Sequence, residues 1–391
     1  MMALIRQLPR TVWLLGLISL VNDSASELIY PLVPLYLASV LMSGPKALGI
    51  IEGIAETVSS LLKLFAGVLA DRTRHVKRWV VAGYGIAGFA RPLLGLTSSW
   101  VGVLGCRFAD RVGKGLRSAP RDALLSHSVD ASQRGLAFGF HRAMDNFGAV
   151  IGPLVAAAML AAGMSLRQIF LWALVPGCGV IVLTLLLKDP VPAVTPAREP
   201  AAFSWTLHEF PVAFRRYLFV LALFALGNSS NMFLLLRARD LGLPQAQVPV
   251  LWALVSLVAA LFSTHLSALS DRLGRTRLIV CGWCVYALFY FLLGVQHAGT
   301  WLLWPMFAGY GLFLAATEGA EKALVADLVP RELAGTAYGW YNLVVGLFLL
   351  PASIVFGWLW QGEAAVFAFG FSAVCALIAA VLLRFWVEPA R

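Results

Sequence analysis

Long apolar runs are the feature that most restricts how this chain folds. A stretch of about 20 mostly apolar residues is long enough to cross a bilayer as a helix. Charged residues make up only 13% of the 391 residues, against about 25% in soluble domains, so little polar surface is available to solvate a globule. The sequence therefore predicts an all-α polytopic membrane protein. Breaks at Gly, Pro and charged residues divide it into twelve predicted transmembrane helices, or spans, at 11–41, 47–70, 79–98, 100–125, 135–163, 167–188, 214–238, 245–269, 277–297, 301–327, 334–360 and 363–387.

Basic residues are distributed unequally between the two sides that twelve spans create. The side that holds both termini carries most of the loop Lys and Arg, whereas the opposite loops have only Lys46, Arg167, Arg237 and Arg239. Because cytoplasmic loops are enriched in Lys and Arg, both termini are predicted to be cytoplasmic, in a bacterial inner membrane. The formal charge of +10 is thus a loop property. The sequence shows no basic face with stacking aromatic residues, so it predicts no nucleic-acid partner.

A linker near the midpoint divides the chain into two predicted domains. Residues 189–213 are rich in Pro and Ala and are more polar than the spans on either side, which is typical of a connection between folded units. We predict a bundle of six helices at 1–188 and a second bundle of six at 214–391, joined by this linker on the cytoplasmic side.

The two halves contain an internal repeat. The segment GVLADRTRHVK at 67–77 aligns with SALSDRLGRTR at 267–277, and RGLAFGF at 134–140 aligns with AGTAYGW at 334–340. Both alignments have an offset of 200 residues. Because each half has an even number of spans, the repeats are predicted to have the same orientation, related by an axis along the membrane normal.

The repeated turn resembles the signature G-x-x-x-D-[RK]-x-G-[RK] of the major facilitator superfamily (MFS). The first copy has Arg in place of the second glycine, and the second copy has Ser in place of the first. The resemblance covers essentially the whole chain and implies two pseudo-symmetric halves that rock around a midplane site. It also implies a cytoplasmic gate, in which carboxylates flanked by guanidinium groups pair with helix ends in one transport state, at Asp71, Arg72, Asp271, Arg272 and Arg275.

Two further motifs resemble the drug/proton antiporter group of this superfamily. Span 1 contains Pro31-Leu-Val-Pro34, similar to that group's P-v-x-P element, and span 5 contains Gly148-Ala-Val-Ile-Gly152-Pro153, similar to G-x-x-x-G-P. Glycines four residues apart permit close helix packing, and Pro153 removes a backbone donor. The resemblance implies export rather than uptake, whereas generic small-residue packing is the alternative interpretation of this motif.

Charged residues inside the spans are the candidate functional residues, because each costs about 2.5–3.5 kcal/mol at the bilayer centre. Asp23 and Glu27 lie one helical turn apart in span 1 and are predicted to carry the coupling proton. Arg107 in span 4 is predicted to tune their proton affinity. A substrate cavity is predicted at Asp23, Glu27, Glu52, Glu56, Arg107, Arg111, Glu318 and Glu321.

Span 4 has a strongly cationic face that supports two interpretations. Its pattern resembles the superfamily's R-F-x-Q-G-x-G-x-G, with Asp110 and Arg111 in place of Gln and Gly. Its bases either bind an anionic substrate or form an internal network of ion pairs near the cytoplasmic end. We favour the network for the residues from Lys114 to Arg121, and a role in the cavity for Arg107.

Together these residues predict a proton-coupled secondary transporter that exports a small organic molecule by alternating access. No motif for ATP hydrolysis, zinc binding or nucleophilic catalysis occurs in the sequence, so we predict neither an enzyme nor a metal or cofactor. The expected partners are the substrate and the lipid bilayer, with the protein as a monomer. One alternative is an MFS carrier of an organic anion or phosphate ester that uses the basic face of span 4. Another is a membrane sensor or scaffold that transports nothing.

Overall fold

The structure, a computed structural model, describes residues 8–72, 76–129, 134–187, 206–296, 299–330, 333–361 and 365–387. Within these residues all regular structure is helical, which confirms the predicted all-α class. The α-helices of this part of the chain are α1 (Arg10–Ile29), α2 (Leu32–Ser39), α3 (Pro45–Arg72), α4 (Val76–Leu93), α5 (Trp100–His127), α6 (Arg134–Ala161), α7 (Leu166–Trp172), α8 (Leu174–Leu185), α9 (Val212–Gly227), α10 (Met232–Asp240), α11 (Gln247–Leu273), α12 (Arg275–Val295), α13 (Leu303–Leu328), α14 (Ala334–Leu359) and α15 (Ala365–Phe385).

The helices follow the predicted spans in order. Spans 1, 6 and 7 are each formed by two consecutive helices, and every other span is formed by one. Among the described residues, eight of these single or paired helices are long and apolar enough to cross a membrane. A shorter apolar stretch, 247–263, lies within α11.

Spans 1 and 7 are interrupted at corresponding places in the two halves. Helix α1 ends at Ile29, just before Pro31, which lacks the N–H group needed to continue the helical hydrogen bonds. Helix α9 ends at Gly227, and α10 begins only at Met232. There the Tyr286 hydroxyl donates to the Gly227 carbonyl oxygen at 2.9 Å. This hydrogen bond satisfies a carbonyl group that the end of a helix leaves open.

The chain divides into two compact units. Unit 1 comprises Met1–Tyr36 and Val58–Ala201, and unit 2 comprises Leu37–Thr57 and Ala202–Arg391. The predicted domain boundaries differ from this division at residues 37–57, which group with unit 2 although they precede the linker. One contact in unit 2 illustrates the grouping, since the Thr57 hydroxyl on α3 donates to the Gly346 carbonyl oxygen on α14 at 2.8 Å.

Most of the predicted linker, 189–213, falls outside the described residues, which resume at 206. In its described part, Leu207–Glu209 forms a short 3₁₀ helix. Helix α9 then begins at Val212.

Several helix contacts recur at equivalent places in the two units. In unit 1, α1 packs on α6 and α8, and α4 packs on α5 and α8. In unit 2, α9 packs on α14 and α15, and α12 packs on α13 and α15. A Cβ atom at Gly83 on α4 would lie 2.7 Å from the Arg117 Cβ on α5, and one at Gly282 on α12 would lie 2.5 Å from the Thr317 Cγ2 on α13. The internal repeat therefore has a structural counterpart in these two close crossings.

Candidate functional site

Asp110 on α5 is the centre of a buried ion-pair cluster in unit 1. Its Oδ1 atom accepts a hydrogen bond from Arg91 Nε on α4 at 2.9 Å. Its Oδ2 atom lies 3.1 Å from Arg111 Nη1 and 3.7 Å from Arg107 Nη1. The side chains of these four residues are at most 5% exposed. One buried carboxylate therefore lies within 4 Å of three buried guanidinium groups.

The cluster reaches the acidic face of α1 through two side chains. Arg91 Nη1 donates to the carbonyl oxygen and to the Oδ1 atom of Asn22, at 3.1 and 3.0 Å. Asn22 Nδ2 in turn donates to Asp23 Oδ1 at 2.8 Å. A continuous series of polar contacts thus joins Asp23 on α1 to Asp110 and Arg107 on α5. The sequence predicted roles for Asp23 and Arg107 but not the residues that connect them.

A small cavity lies beside this series of contacts, between α1, α4 and α5. Arg107 lines it, and the Tyr30 ring lies 6.0 Å from the Arg107 guanidinium carbon. A role for Arg107 in a substrate cavity stays a prediction. Glu27 lies on the same helix as Asp23 and is half-buried. The cavity is lined by Ser26, Ile29, Arg91, Leu94, Cys106, Arg107 and Asp110.

A second polar cluster lies between α1 and α6. Ser19 Oγ is 2.9 Å from His141 Nε2, and His141 Nδ1 is 3.5 Å from Asp145 Oδ2. Asp145 also lies within electrostatic range of Asp23. The predicted site omitted Asp145. The signal for it was the spacing of four residues that places His141 and Asp145 on one face of an otherwise apolar helix.

The glycine motif of span 5 brings α1 and α6 into close contact at this cluster. A Cβ atom at Gly148 would lie 2.7 Å from the Leu20 carbonyl oxygen and 2.9 Å from the Asp23 Cβ. A Cβ atom at Gly152 would lie 2.5 Å from the Ser24 carbonyl oxygen. The motif therefore packs directly against the helix that carries Asp23 and Glu27.

The remaining bases of α5 have neighbours inside unit 1. Arg117 is 4% exposed, and its guanidinium carbon lies 4.5 Å from the centre of the Tyr84 ring. Arg121 Nη2 pairs with Asp122 Oδ1 at 2.8 Å. The Arg121–Asp122 ion pair is the kind of contact expected if residues 114–121 form an internal network of ion pairs.

The other predicted cavity residues, Glu52, Glu56, Glu318 and Glu321, belong to unit 2. Glu52 is fully buried, and its Oε2 atom accepts a hydrogen bond from Ser230 Oγ at 3.3 Å. Glu318 is half exposed, and its Oε1 atom lies 3.7 Å from Lys322 Nζ. That the acids of both units line a single cavity remains a prediction.

Unit 2 is rich in buried aromatic rings. Phe224 stacks on Trp283 with ring centres 4.3 Å apart, and Tyr286 stacks on Tyr290 at 4.1 Å. Tyr286 and Phe313 also pack against each other, with ring centres 5.1 Å apart, inside this aromatic core.

The predicted cytoplasmic gate is described only in part. Arg275 at the start of α12 forms an ion pair with Asp327 near the end of α13. The side chains of the other four gate residues, Asp71, Arg72, Asp271 and Arg272, lie outside the described residues.

Comparisons with known proteins agree with this architecture. A family model described as the Major Facilitator Superfamily matches residues 15–236 and 217–391. An uncharacterised MFS-type transporter of Methanocaldococcus jannaschii is 33% identical over 389 residues, which cover 97% of this chain and 96% of that protein. Multidrug resistance protein MdtH of Photorhabdus laumondii is 24% identical, covering 85% of this chain and 82% of that protein.

Solved structures share the fold at low sequence identity. The crystal structure of the nucleoside transporter NupG has a TM-score of 0.77 at 15% identity, covering 96% of this chain and 98% of that one. At this level of identity the likeness concerns the fold alone.

Proposed function

Because the chain belongs to the major facilitator superfamily, and is therefore a membrane transporter and not an enzyme, we propose that it exports a small organic molecule in exchange for protons. The proton gradient is the energy source, and no other cofactor takes part. Proton and substrate compete for one acidic site on α1, so that binding of one favours release of the other.

The observation that carries this proposal is the series of contacts from Asp23 through Asn22 and Arg91 to Asp110. A proton taken up by Asp23 removes the charge that its contact with Asn22 stabilises. Arg91 holds Asn22 in place while also pairing with Asp110, so a change at Asp23 acts on the ion pairs of α5. Contiguous networks of this kind are able to link protonation in one helix to rearrangement in another.

The direction of transport is supported by the packing of the glycine motif. Gly148 and Gly152 contact α1 next to Asp23 and Glu27, so the segment that resembles an antiporter motif lies at the acidic site itself. The similarity to a protein named for multidrug resistance also favours export.

Proton release on ligand binding tests the proposal. A thermal-stabilisation screen of cationic drugs, organic anions and metal chelates on the purified protein supplies the ligand. Adding this ligand to the weakly buffered protein is expected to release protons, which a pH indicator detects. The release is expected to disappear in Asp23→Asn or in Glu27→Gln, whichever carboxylate holds the proton, while the ligand still stabilises the protein. Asp240→Asn, at the end of α10, is the control that retains it.

The same experiment contains the contradicting outcome. If the ligand binds without proton release in the wild-type protein, or if release is unchanged in both acid variants, the coupling mechanism is wrong.

A second candidate function, the carriage of an organic anion or phosphate ester, is favoured by the charge surplus of α4 and α5. Arg91, Arg107, Arg111 and Arg117 are each 3–4% exposed, whereas Asp110 is the one acidic residue of these two helices that is buried to the same degree. Guanidinium groups bind carboxylates and phosphates with two parallel hydrogen bonds. This function predicts stabilisation by anions that is lost in Arg111→Gln. Indifference of the wild-type protein to anions would contradict it.

We further propose that the protein acts as a monomer in a bacterial inner membrane with both termini in the cytoplasm. The positive loops on the side of the termini support this orientation. The bilayer and the substrate are then its only required partners.

A further inference from the structure

Glu321 on α13 is a carboxylate of unit 2 whose hydrogen-bond donors in the described part of the chain include no cation. It is 8% exposed. Its Oε1 atom accepts a hydrogen bond from Trp283 Nε1 on α12 at 3.1 Å, and its Oε2 atom accepts one from the Tyr341 hydroxyl on α14 at 2.8 Å. Both donors are neutral side chains. A buried charge without an opposite charge pays a large desolvation penalty.

The titratable and charged groups around Glu321 come from the helices that surround it. Helix α9 contributes Tyr217, which is fully buried and whose hydroxyl has no hydrogen-bond partner among the described residues. Helix α14 contributes Tyr341. On α13 itself, Glu318 and Lys322 lie within electrostatic range, but they are half exposed and lie 3.7 Å from each other. Among the described residues, the cation near Glu321 is therefore half exposed and paired with another acid.

The internal repeat shows how unusual this site is. Glu321 follows Arg121 by 200 residues, and Trp283 follows Tyr84 by 199. These pairs lie beside the equivalent crossings of α4 on α5 and of α12 on α13. In unit 1 the equivalent residue is Arg121, which pairs with Asp122, and a guanidinium group keeps its charge at every working pH. Unit 2 instead has a group there whose charge is able to change.

We propose that Glu321 is a proton-binding site in unit 2, separate from Asp23 and Glu27, in which the carboxyl group is held as the neutral acid. The proton comes from water, and its uptake cancels the buried charge. Trp283 and Tyr341 then donate to the acid, and the carboxyl hydrogen lies in the region of the buried Tyr217 hydroxyl. Deprotonation returns an unpaired charge to the site, which gives unit 2 a response to pH of its own.

The surroundings favour a proton over a metal cation. A metal cation requires several oxygen ligands, and the described residues contain no group of three or more His, Cys, Asp or Glu side chains that could hold one. Phe224 covers the Trp283 ring at 4.3 Å and makes that side of the site apolar. A proton needs neither additional ligands nor additional space.

Infrared difference spectroscopy between low and high pH tests the proposal on the full-length protein without any substrate. The wild-type protein is expected to show the C=O stretch of a buried carboxylic acid, which disappears in Glu321→Gln. In Tyr341→Phe the band is expected to remain but to shift, because one hydrogen-bond donor is lost. Glu318→Gln, the same substitution one turn earlier on the exposed face, is expected to leave the band unchanged.

Two results would overturn the proposal. One is a spectrum of Glu321→Gln that retains every carboxylic acid band of the wild type. The other is loss of the wild-type band on addition of sodium at constant pH, which would identify a cation site. If Glu321→Gln does not fold, the Tyr341→Phe variant tests the proposal in its place. An unshifted C=O band in that variant contradicts the assignment of the band to Glu321. Since no transported ligand is involved, these outcomes are independent of the proposed coupling at Asp23.

Discussion

Asp110 shows at the scale of one residue how this protein tolerates buried charge. Its carboxylate contacts Arg91, Arg107 and Arg111, whose side chains are almost fully buried. Buried ion pairs add little net stability when complete, but removal of one partner leaves uncompensated charge. Asp110 is the carboxylate that these three guanidinium groups share.

We therefore expect Asp110→Asn to lower the free energy of unfolding by about 3–5 kcal/mol, the range for breaking a buried pair. Thermal unfolding of the purified protein in detergent measures the change. Asp122→Asn on the same helix is the control, because its ion pair with Arg121 is partly exposed and such pairs contribute about 0.2–1 kcal/mol. Equal losses in the two variants would contradict the assignment of Asp110 as the centre of the cluster.

The centre of this cluster could not be predicted from the sequence. In the sequence Asp110 stands out only as a departure from a family pattern, and nothing there indicates Arg91 as its partner. Their contact depends on how closely α4 and α5 pack at Gly83 and Gly113, where a Cβ at Gly113 would lie 2.5 Å from the Gly83 carbonyl oxygen. Helix rotation decides which side chains meet, and periodicity within one helix does not determine rotation relative to the next.

At the scale of the element, the crossing of α1 and α6 depends on two glycines. Gly148 and Gly152 face backbone atoms of α1, and backbone atoms, unlike the ends of flexible side chains, have little freedom to move aside. The sequence predicts that this helix packs closely against another, because its glycine spacing indicates close helix packing. Its partner helix and the position of the contact beside Asp23 were not predicted.

Gly152→Ala is expected to push α1 away from α6 and to destabilise the protein by about 1–3 kcal/mol, as overpacking does. Gly139→Ala is the matched control, because among the described residues no atom beyond the local backbone of α6 lies within 4 Å of its Cβ position. It is expected to be neutral or stabilising by up to about 1 kcal/mol, because alanine is the better helix former. Unfolding temperatures of the two variants compare them directly. A Gly152 variant as stable as the Gly139 variant would mean that the crossing is looser than described.

The interruption between α9 and α10 illustrates what sequence patterns miss in an element. Residues 214–238 contain no proline and were predicted as one continuous span. The structure ends α9 at Gly227, where Asn and Ser side chains compete with the helical backbone for hydrogen bonds. Tyr310 donates to Asn231 Oδ1 at 2.6 Å and Tyr286 donates to the Gly227 carbonyl. These donors come from α13 and α12, so the break depends on tertiary contacts.

At the scale of the whole molecule, the spans and their order were predictable because the bilayer imposes a long apolar run on each of them. The repeat was predictable because an offset of 200 residues recurs in two separate segments. The grouping of residues 37–57 with unit 2 was not, since hydropathy says which segments are helices in a membrane and not which bundle each one joins.

The orientation in the membrane is a prediction at this scale. An alkaline phosphatase fused after residue 391 is expected to be inactive, and a fluorescent protein at the same place is expected to fold, because the positive loops keep the C-terminus in the cytoplasm. A phosphatase fused after Ser43, in the first predicted external loop, is the positive control. An active phosphatase at the C-terminus would reverse the proposed topology.

The most direct test of proton-coupled export is transport driven by a pH gradient in proteoliposomes. With the ligand selected by thermal stabilisation, the wild-type protein is expected to accumulate it against its concentration gradient, and a protonophore is expected to abolish the accumulation. The double variant Asp23→Asn, Glu27→Gln is expected to retain exchange of labelled for unlabelled ligand and to lose the accumulation. Accumulation by the double variant at the wild-type level would contradict the account.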